Sequence, residues 1–183
     1  PYKQEIIPFL DELSPEAKII GAVNTVLIKD GKRIGHNTDC YGFQHSISPL
    51  LEAHHKKALV LGNGGAAKAV FYILDELNIE YKIVSRNPTE DQLSYKDLNE
   101  EIVTEFPILI NCSPVGTFPN VENAPLLPYQ FITNKHLLYD LIYNPAVTKF
   151  LENGQHNGAK IKNGYEMLVL QAEKAWMIWN KVR

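Results

Sequence analysis

Cysteine is scarce in this chain: Cys40 and Cys112 are the only two in 183 residues, far apart and without metal-ligand spacing. That excludes a disulfide framework or a zinc module as the organising device, and two isolated thiols fit a reducing, cytoplasmic compartment. Long hydrophobic runs are missing too, so no segment reads as a bilayer span, and no signal peptide is visible. Basic residues are not in excess: 18 Lys and Arg against 21 Asp and Glu give a net charge of −3. Such a balance offers no patch for nucleic acid and no polybasic face for a membrane. Repeats and low-complexity tracts are absent, and the six histidines show no ligand spacing. The adjacent His54 and His55 are expected at a solvated helix end. An initiator Met is lacking as well, and the opening at Pro1 reads as a piece of something longer. What remains is an ordinary globular composition, 45% hydrophobic and 21% charged, for one large or two small domains. A small molecule is the expected partner, with the chain as monomer or homodimer.

The informative stretch runs from Leu59 to Val70, LVLGNGGAAKAV. Ala58 to Leu61 is an apolar run suited to a parallel strand covered on both faces. Gly62 can take the positive φ of a tight turn, while Gly64 and Gly65 let bare backbone approach a ligand. From Ala66 to Leu77 the residues Ala67, Val70, Phe71, Leu74 and Leu77 form one apolar helical stripe. A helix N-terminus with unsatisfied donors and a partial positive charge suits a phosphate. The pattern Gly-x-Gly-Gly-Ala over Gly62, Asn63, Gly64, Gly65 and Ala66 is a variant of the dinucleotide fingerprint. A glycine turn without any ligand is the competing reading.

The next strand bears on which dinucleotide. Glu80 to Ser85 ends in Ser85-Arg86-Asn87, where an NAD site places an acidic residue for the ribose 2′-hydroxyl. Here the first charged side chain is Arg86, whose guanidinium favours a 2′-phosphate. NADP is therefore the expected cofactor, against the alternative of a solvated loop arginine.

Gln4–Leu13 and Pro15–Ile20 read as helical, Ala22–Ile28 as a strand, and Gly31 as a hairpin turn into Arg33–Asn37. Thr38 or Asp39 is expected to cap a helix running to about His54. Strands then alternate with helices: Leu59–Gly62, Lys82–Ser85, Pro107–Asn111, His136–Leu141 and Ala159–Ile161. That rhythm predicts an α/β protein with a Rossmann-like, doubly wound parallel sheet and right-handed crossovers. Tyr165 to Lys181 reads as a long C-terminal helix. The expected division is a cofactor domain at 39–163, with 1–38 and the last helix, 164–183, forming part of a smaller α/β substrate domain.

Six motifs now stand in a familiar order: Pro1-Tyr2-Lys3, Gly21-Ala22-Val23-Asn24-Thr25, Gly35-His36-Asn37-Thr38-Asp39, the Gly62–Ala66 turn, Tyr139-Asp140-Leu141-Ile142-Tyr143-Asn144-Pro145, and Asn163-Gly164-Tyr165-Glu166-Met167-Leu168. Over essentially its whole length the chain resembles the shikimate dehydrogenases. The resemblance implies NADP-dependent interconversion of 3-dehydroshikimate and shikimate, in the chorismate route to aromatic amino acids. It implies Lys3 and Asp39 as the catalytic pair. Asn24, Asp39, Tyr143 and Gln171 would hold the substrate. The turn, Ser85, Arg86, Asn87 and Ser113 would contact the cofactor, with Leu141 and Gly164 near the nicotinamide. One departure stands out: the family's first strands, with their Ser-x-Ser element and a threonine shortly before the lysine, are not in this sequence. Substrate binding is the function this would touch first.

The residue types suit that chemistry. An amine and a carboxylate can share the proton of a substrate hydroxyl, and Asn24 and Gln171 both donate and accept, as a polyhydroxylated ring requires. Three competing readings stay open: Lys3 as a solvated lysine, Asp39 as an N-cap, and Tyr143 as a core residue. Two other functions are carried with the main one, a quinate/shikimate dehydrogenase using NAD and a non-catalytic dinucleotide-binding module.

Overall fold

The computed structural model describes residues 2–180, so Pro1 of the first motif and Lys181 of the last predicted helix lie outside the described residues. The chain divides into two compact units. Of the described residues, the first takes 2–49, 65–73 and 166–180, and the second takes 50–64 and 74–165.

The first unit carries a three-stranded sheet of β1 (Glu12–Leu13), β2 (Thr25–Lys29) and β3 (Lys32–His36), in the order β1-β3-β2. β2 and β3 form an antiparallel hairpin whose turn residues Asp30 and Gly31 have φ of 51° and 77°. Two consecutive left-handed residues match the twist of a two-residue hairpin, and an Asp-Gly pair adopts them at low cost. Helix α1 (Pro15–Ile20) has the ends its sequence predicts: the Ser14 side chain accepts from the Ala17 N–H, Pro15 opens the helix, and Gly21 closes it at φ 65°.

The predicted helix over Gln4–Leu13 is not formed. Only a short 3₁₀ turn, Ile7–Phe9, remains, and Leu10 is already extended. Tertiary pairing overrides local propensity here. The Asp11 N–H donates to the Arg33 carbonyl, the Arg33 side chain returns two bonds to the Asp11 carboxylate at 2.9 and 3.0 Å, and β1 runs parallel to β3. Helix α2 (Asp39–Ile47) is also shorter than expected, giving way to a 3₁₀ turn, Ser48–Leu50, that contains Pro49. Thr38 holds the N-cap position, but its side chain makes no capping bond. Asn37 Oδ1 accepts from the N–H groups of Asp39 and Cys40, at 3.0 and 3.3 Å.

The second unit holds a six-stranded, all-parallel sheet in the order β6-β5-β4-β7-β8-β9. The strands are β4 (Lys57–Leu61), β5 (Glu80–Ser85), β6 (Leu93–Ser94), β7 (Ile108–Asn111), β8 (Leu137–Asp140) and β9 (Lys160–Lys162). This is the doubly wound, Rossmann-like arrangement expected from the alternation of elements, with the strand order reversing between β4 and β7. The three central strands are almost wholly buried, as a parallel sheet covered on both faces must be. Their core, including Leu59, Leu61, Leu109 and Leu138, is completed by Phe106, Phe150 and Leu151. Helix α3 (Gly65–Glu76) follows the glycine turn, and Ala67, Val70 and Leu74 of its predicted stripe are buried. Helices α4 (Glu100–Glu105) and α5 (Lys149–His156) start at Asn99 and Thr148, whose side chains accept from the N–H groups of Ile102 and Leu151. Helix α6 (Tyr165–Asn180) ends the described chain.

His54 and His55 follow the helix end in a loop, His54 exposed as expected and His55 buried. Both ring Nε2 atoms bond the Lys135 carbonyl, and the buried His55 also accepts the Glu52 N–H on Nδ1. Burial, with His54 beside it, holds the His55 pKa below its usual value. This pair pins the loop before β4.

Candidate active site

Two groups of the residues singled out from sequence come together, one in each unit. In the first unit Asp39 stands at the first turn of α2, with its side chain 12% exposed. Its Oδ2 takes the ammonium of Lys3, which is 36% exposed, and its Oδ1 accepts the Asn24 amide at 2.8 Å. The Asn24 carbonyl oxygen accepts the Thr38 N–H at 2.9 Å, which fixes the orientation of the amide. Thr38 Oγ1 lies 3.2 Å from Asn24 Oδ1 and 3.3 Å from Gln171 Oε1 on α6. Local structure explains the convergence. Asn24 sits just before β2, and its N–H donates to His36 O at the end of β3. Val23 donates to Lys3 O at 2.7 Å, tying the first residues to the same edge. Gly42 gives α2 and α6 their close approach, because a Cβ there would lie 2.5 Å from the Met167 carbonyl. Lys3, Asn24, Asp39 and Gln171 therefore form one hydrogen-bonded set, joined by Thr38. That residue was expected only as a cap; freed of capping by Asn37, its hydroxyl serves the set.

The second group lies at the carboxyl ends of β4, β5 and β7, where open α/β sheets bind ligands. A cleft of about 470 Å³ there is lined by Gly62, Asn63 and Gly64 after β4, by Ser85, Arg86 and Asn87 at the end of β5, and by Ser113 after β7. Tyr95 and the Ala124–Leu126 segment complete its walls. Neither was legible beforehand, since a tyrosine and a proline-containing loop carry no spacing signal. Gly62 has φ 105°, as the tight turn demands. A Cβ on Gly64 or Gly65 would meet no heavy atom within 4 Å, so the bare backbone borders open space that a side chain would fill. Gly65 and Ala66 begin α3 and do not line the cleft. Among the described residues Arg86 has no ion-pair partner, and its charge opposes the rise that burial imposes on the Tyr95 phenol. Bare N–H groups, a free guanidinium and small polar side chains form a donor set that fits a phosphorylated dinucleotide.

Leu141 and Tyr143 lie apart from the cleft, lining a smaller hollow of about 360 Å³ in the same unit with Thr117, Phe118 and Asn144. The Tyr143 side chain is exposed. Gly164 backs this segment: its N–H donates to Ile142 O, and a Cβ on it would fall 2.1 Å from Leu141 O. Asp140, at the end of β8, is fully buried and lines neither region. Burial raises its carboxyl from 3.8 to about 6, opposed by hydrogen bonds from Thr148, Ile142 and Asn111.

A family model described as the shikimate dehydrogenase substrate binding domain matches residues 1–26, which include Lys3 and Asn24. The shikimate dehydrogenase (NADP(+)) of Clostridium beijerinckii is 41% identical over 99% of this chain and 70% of its own length. The chain belongs to the shikimate dehydrogenase family. Solved members share the fold. The shikimate 5-dehydrogenase of Thermus thermophilus, in complex with NADP(H) and shikimate, superposes with a TM-score of 0.86 at 33% identity, over 99% of this chain and 70% of that one. The quinate dehydrogenase of Corynebacterium glutamicum, in complex with NAD, reaches 0.88 at 26% identity, with coverage of 99% and 70%. This family member thus spans about 70% of the length of these relatives. No helix among its described residues is long and apolar enough to cross a membrane.

Proposed function

We propose that this shikimate dehydrogenase family member carries out the NADP-dependent interconversion of 3-dehydroshikimate and shikimate. The observation that carries the reading is the Asp39 carboxylate holding both the Lys3 ammonium and the Asn24 amide, beside Thr38 and Gln171. The substrate contacts are assigned to the first unit, apart from Tyr143, and the cofactor contacts chiefly to the second. When bound, NADP supplies the hydride-accepting ring. The chain's own residues handle the proton. In the oxidative direction the reacting hydroxyl gives its proton to the Lys3–Asp39 pair, and in the reductive direction the pair returns it. Asn24 and Gln171 donate to and accept from the remaining ring hydroxyls, with Tyr143 as a further substrate contact. Arg86, with Ser85 and Asn87, holds the 2′-phosphate, the backbone of Gly62–Gly64 faces the pyrophosphate with Gly65 and Ala66 opening the helix behind it, and Ser113 lies along the cofactor. Leu141 and Gly164 border the nicotinamide. A cytoplasmic location and a monomeric or homodimeric state complete the reading; the two free thiols support the former.

The test is the rise of reduced-nicotinamide absorbance when shikimate is added to protein and NADP, run beside NAD with quinate. Turnover with the first pair is expected. Turnover only with the second would favour the quinate enzyme, and NADPH binding without turnover would leave a binding module.

A further inference from the structure

A buried carboxylate usually has a cation. Asp140 is fully buried, yet no described residue forms an ion pair with it. It faces three donors instead, one from the end of β7, one from the turn that follows β8 and one from the start of α5. Its Oδ1 accepts from Asn111 Nδ2 at the end of β7 and from the Ile142 N–H, both at 3.0 Å. Its Oδ2 accepts from Thr148 Oγ1 at 2.6 Å. An acceptor-only group is what such a ring requires. The bond to Asn111 has a consequence at the cleft. Asn111 Oδ1 accepts from the backbone N–H and the hydroxyl of Ser113, at 3.0 and 2.7 Å, and Ser113 Oγ in turn accepts from the Val115 N–H. An amide has one oxygen and one NH₂. The NH₂ donates to Asp140 at 3.0 Å and, more weakly, to the Val115 carbonyl at 3.3 Å, which turns the oxygen toward Ser113. A donor at position 140 would favour the reversed amide and leave Ser113 facing N–H groups. On the other side, a Thr148 hydroxyl that donates to Asp140 keeps a lone pair for the Leu151 N–H at the start of α5.

We propose that Asp140 is a positioning residue for the cofactor cleft: by orienting the Asn111 amide it sets the Ser113–Val115 wall, and through Ile142 and Thr148 it holds the segment carrying Leu141 and Tyr143. This rests on the cofactor reading of the cleft only for its effect on NADPH. The effect on the loops stands by itself. The experiment compares wild type with Asp140→Leu, which keeps approximate shape without acceptors, and Asp140→Asn, which keeps one oxygen for Asn111 and Ile142. Amide hydrogen exchange of residues 112–117 and 141–148, with β4 as reference, is measured beside NADPH affinity well below each variant's unfolding temperature.

In Asp140→Leu both loops should exchange faster while β4 keeps its protection, and NADPH affinity should fall about tenfold or more, the scale of one buried donor left unpaired. Asp140→Asn should restore both readouts to within about threefold of wild type, since it loses only the acceptor for Thr148. Unchanged loop exchange and affinity in Asp140→Leu, or an Asp140→Asn variant as impaired as the leucine, would overturn the proposal. Should Asp140→Leu not fold, Thr148→Val removes, at constant shape, only the bond to Asp140 and the cap on the Leu151 N–H. Exchange should then rise only near 145–151, and loosening of 112–117 would refute the route through Asn111. If wild type binds no NADPH, the cofactor reading falls, and the exchange data alone decide the role of Asp140.

Discussion

Replacing Asp140 by asparagine exchanges one oxygen for NH₂ and removes a charge from the interior, so it measures what that charge costs. The folded carboxyl titrates at about 6 rather than 3.8, because burial outweighs three hydrogen bonds to the ion. A rise of about two units corresponds to roughly 3 kcal/mol between the protonation states. The folded state binds the extra proton between about pH 4 and 6. This group's stabilising contribution is therefore complete below the unfolded value and lost as pH rises through 6. Two titratable groups that feel its charge, the Cys112 thiol and the Tyr129 phenol, are both driven upward by burial and stay neutral throughout. Asparagine loses the acceptor for Thr148, about 1 kcal/mol, so at neutral pH the variant should be more stable by about 2 kcal/mol. Urea unfolding of both proteins from about pH 4 to 7 is the assay. Taking the difference removes the surface carboxylates Glu52, Asp97, Glu105 and Glu152, whose lowered values act in the opposite direction and are shared. The advantage of the asparagine should vanish toward about pH 4. A difference that is flat in pH, or a variant less stable near neutrality, would mean that the hydrogen bonds more than compensate the burial.

Lys3→Ala should lower turnover about a hundredfold while NADPH affinity stays within about twofold, since general acid–base groups contribute on that scale. Equal loss in both would mark a structural lysine. Arg86→Asp should weaken NADPH about tenfold or more by removing a charge-assisted bond, and move preference toward NAD; an unchanged NADP/NAD ratio would sink the assignment. Gln171→Ala should raise the shikimate KM more than it lowers kcat, and a fall in melting temperature alone would point to packing. Gly164→Ala places a methyl 2.1 Å from Leu141 O. It should lower stability by about 1–3 kcal/mol, as overpacking does, which calorimetry would show.

The parallel sheet was readable because its strands are short apolar runs between turn signals, and a covered sheet needs nothing else from its residues. The Gly62 turn, the Asp30–Gly31 hairpin and the ends of α1 were readable for a related reason: each is dictated by one or two residues with a required backbone angle or capping group. Where reading failed, distant partners decided. Gln4–Leu13 has helical spacing, yet β3 draws its end into a strand through Arg33 and Asp11. Of the two adjacent histidines His54 stays exposed, whereas His55 is buried, and the carbonyl of Lys135, far along the chain, takes both rings.

The candidate site divides the same way. Composition and local order determined which chemical groups this chain possesses: an amine, a carboxylate, two amides, a glycine turn and an arginine at a strand end. Only the tertiary structure decided their relations. It made Asn37 the capping acceptor, which left the Thr38 hydroxyl to join Asn24 and Gln171, and it turned Asp140 from one letter of a motif into the acceptor for the end of β7, the start of α5 and its own following turn. Capping groups and backbone angles act over a few residues and are written locally. Hydrogen bonds between residues far apart in sequence exist only once the chain has closed, and the orientation of each amide depends on a partner that no local pattern names.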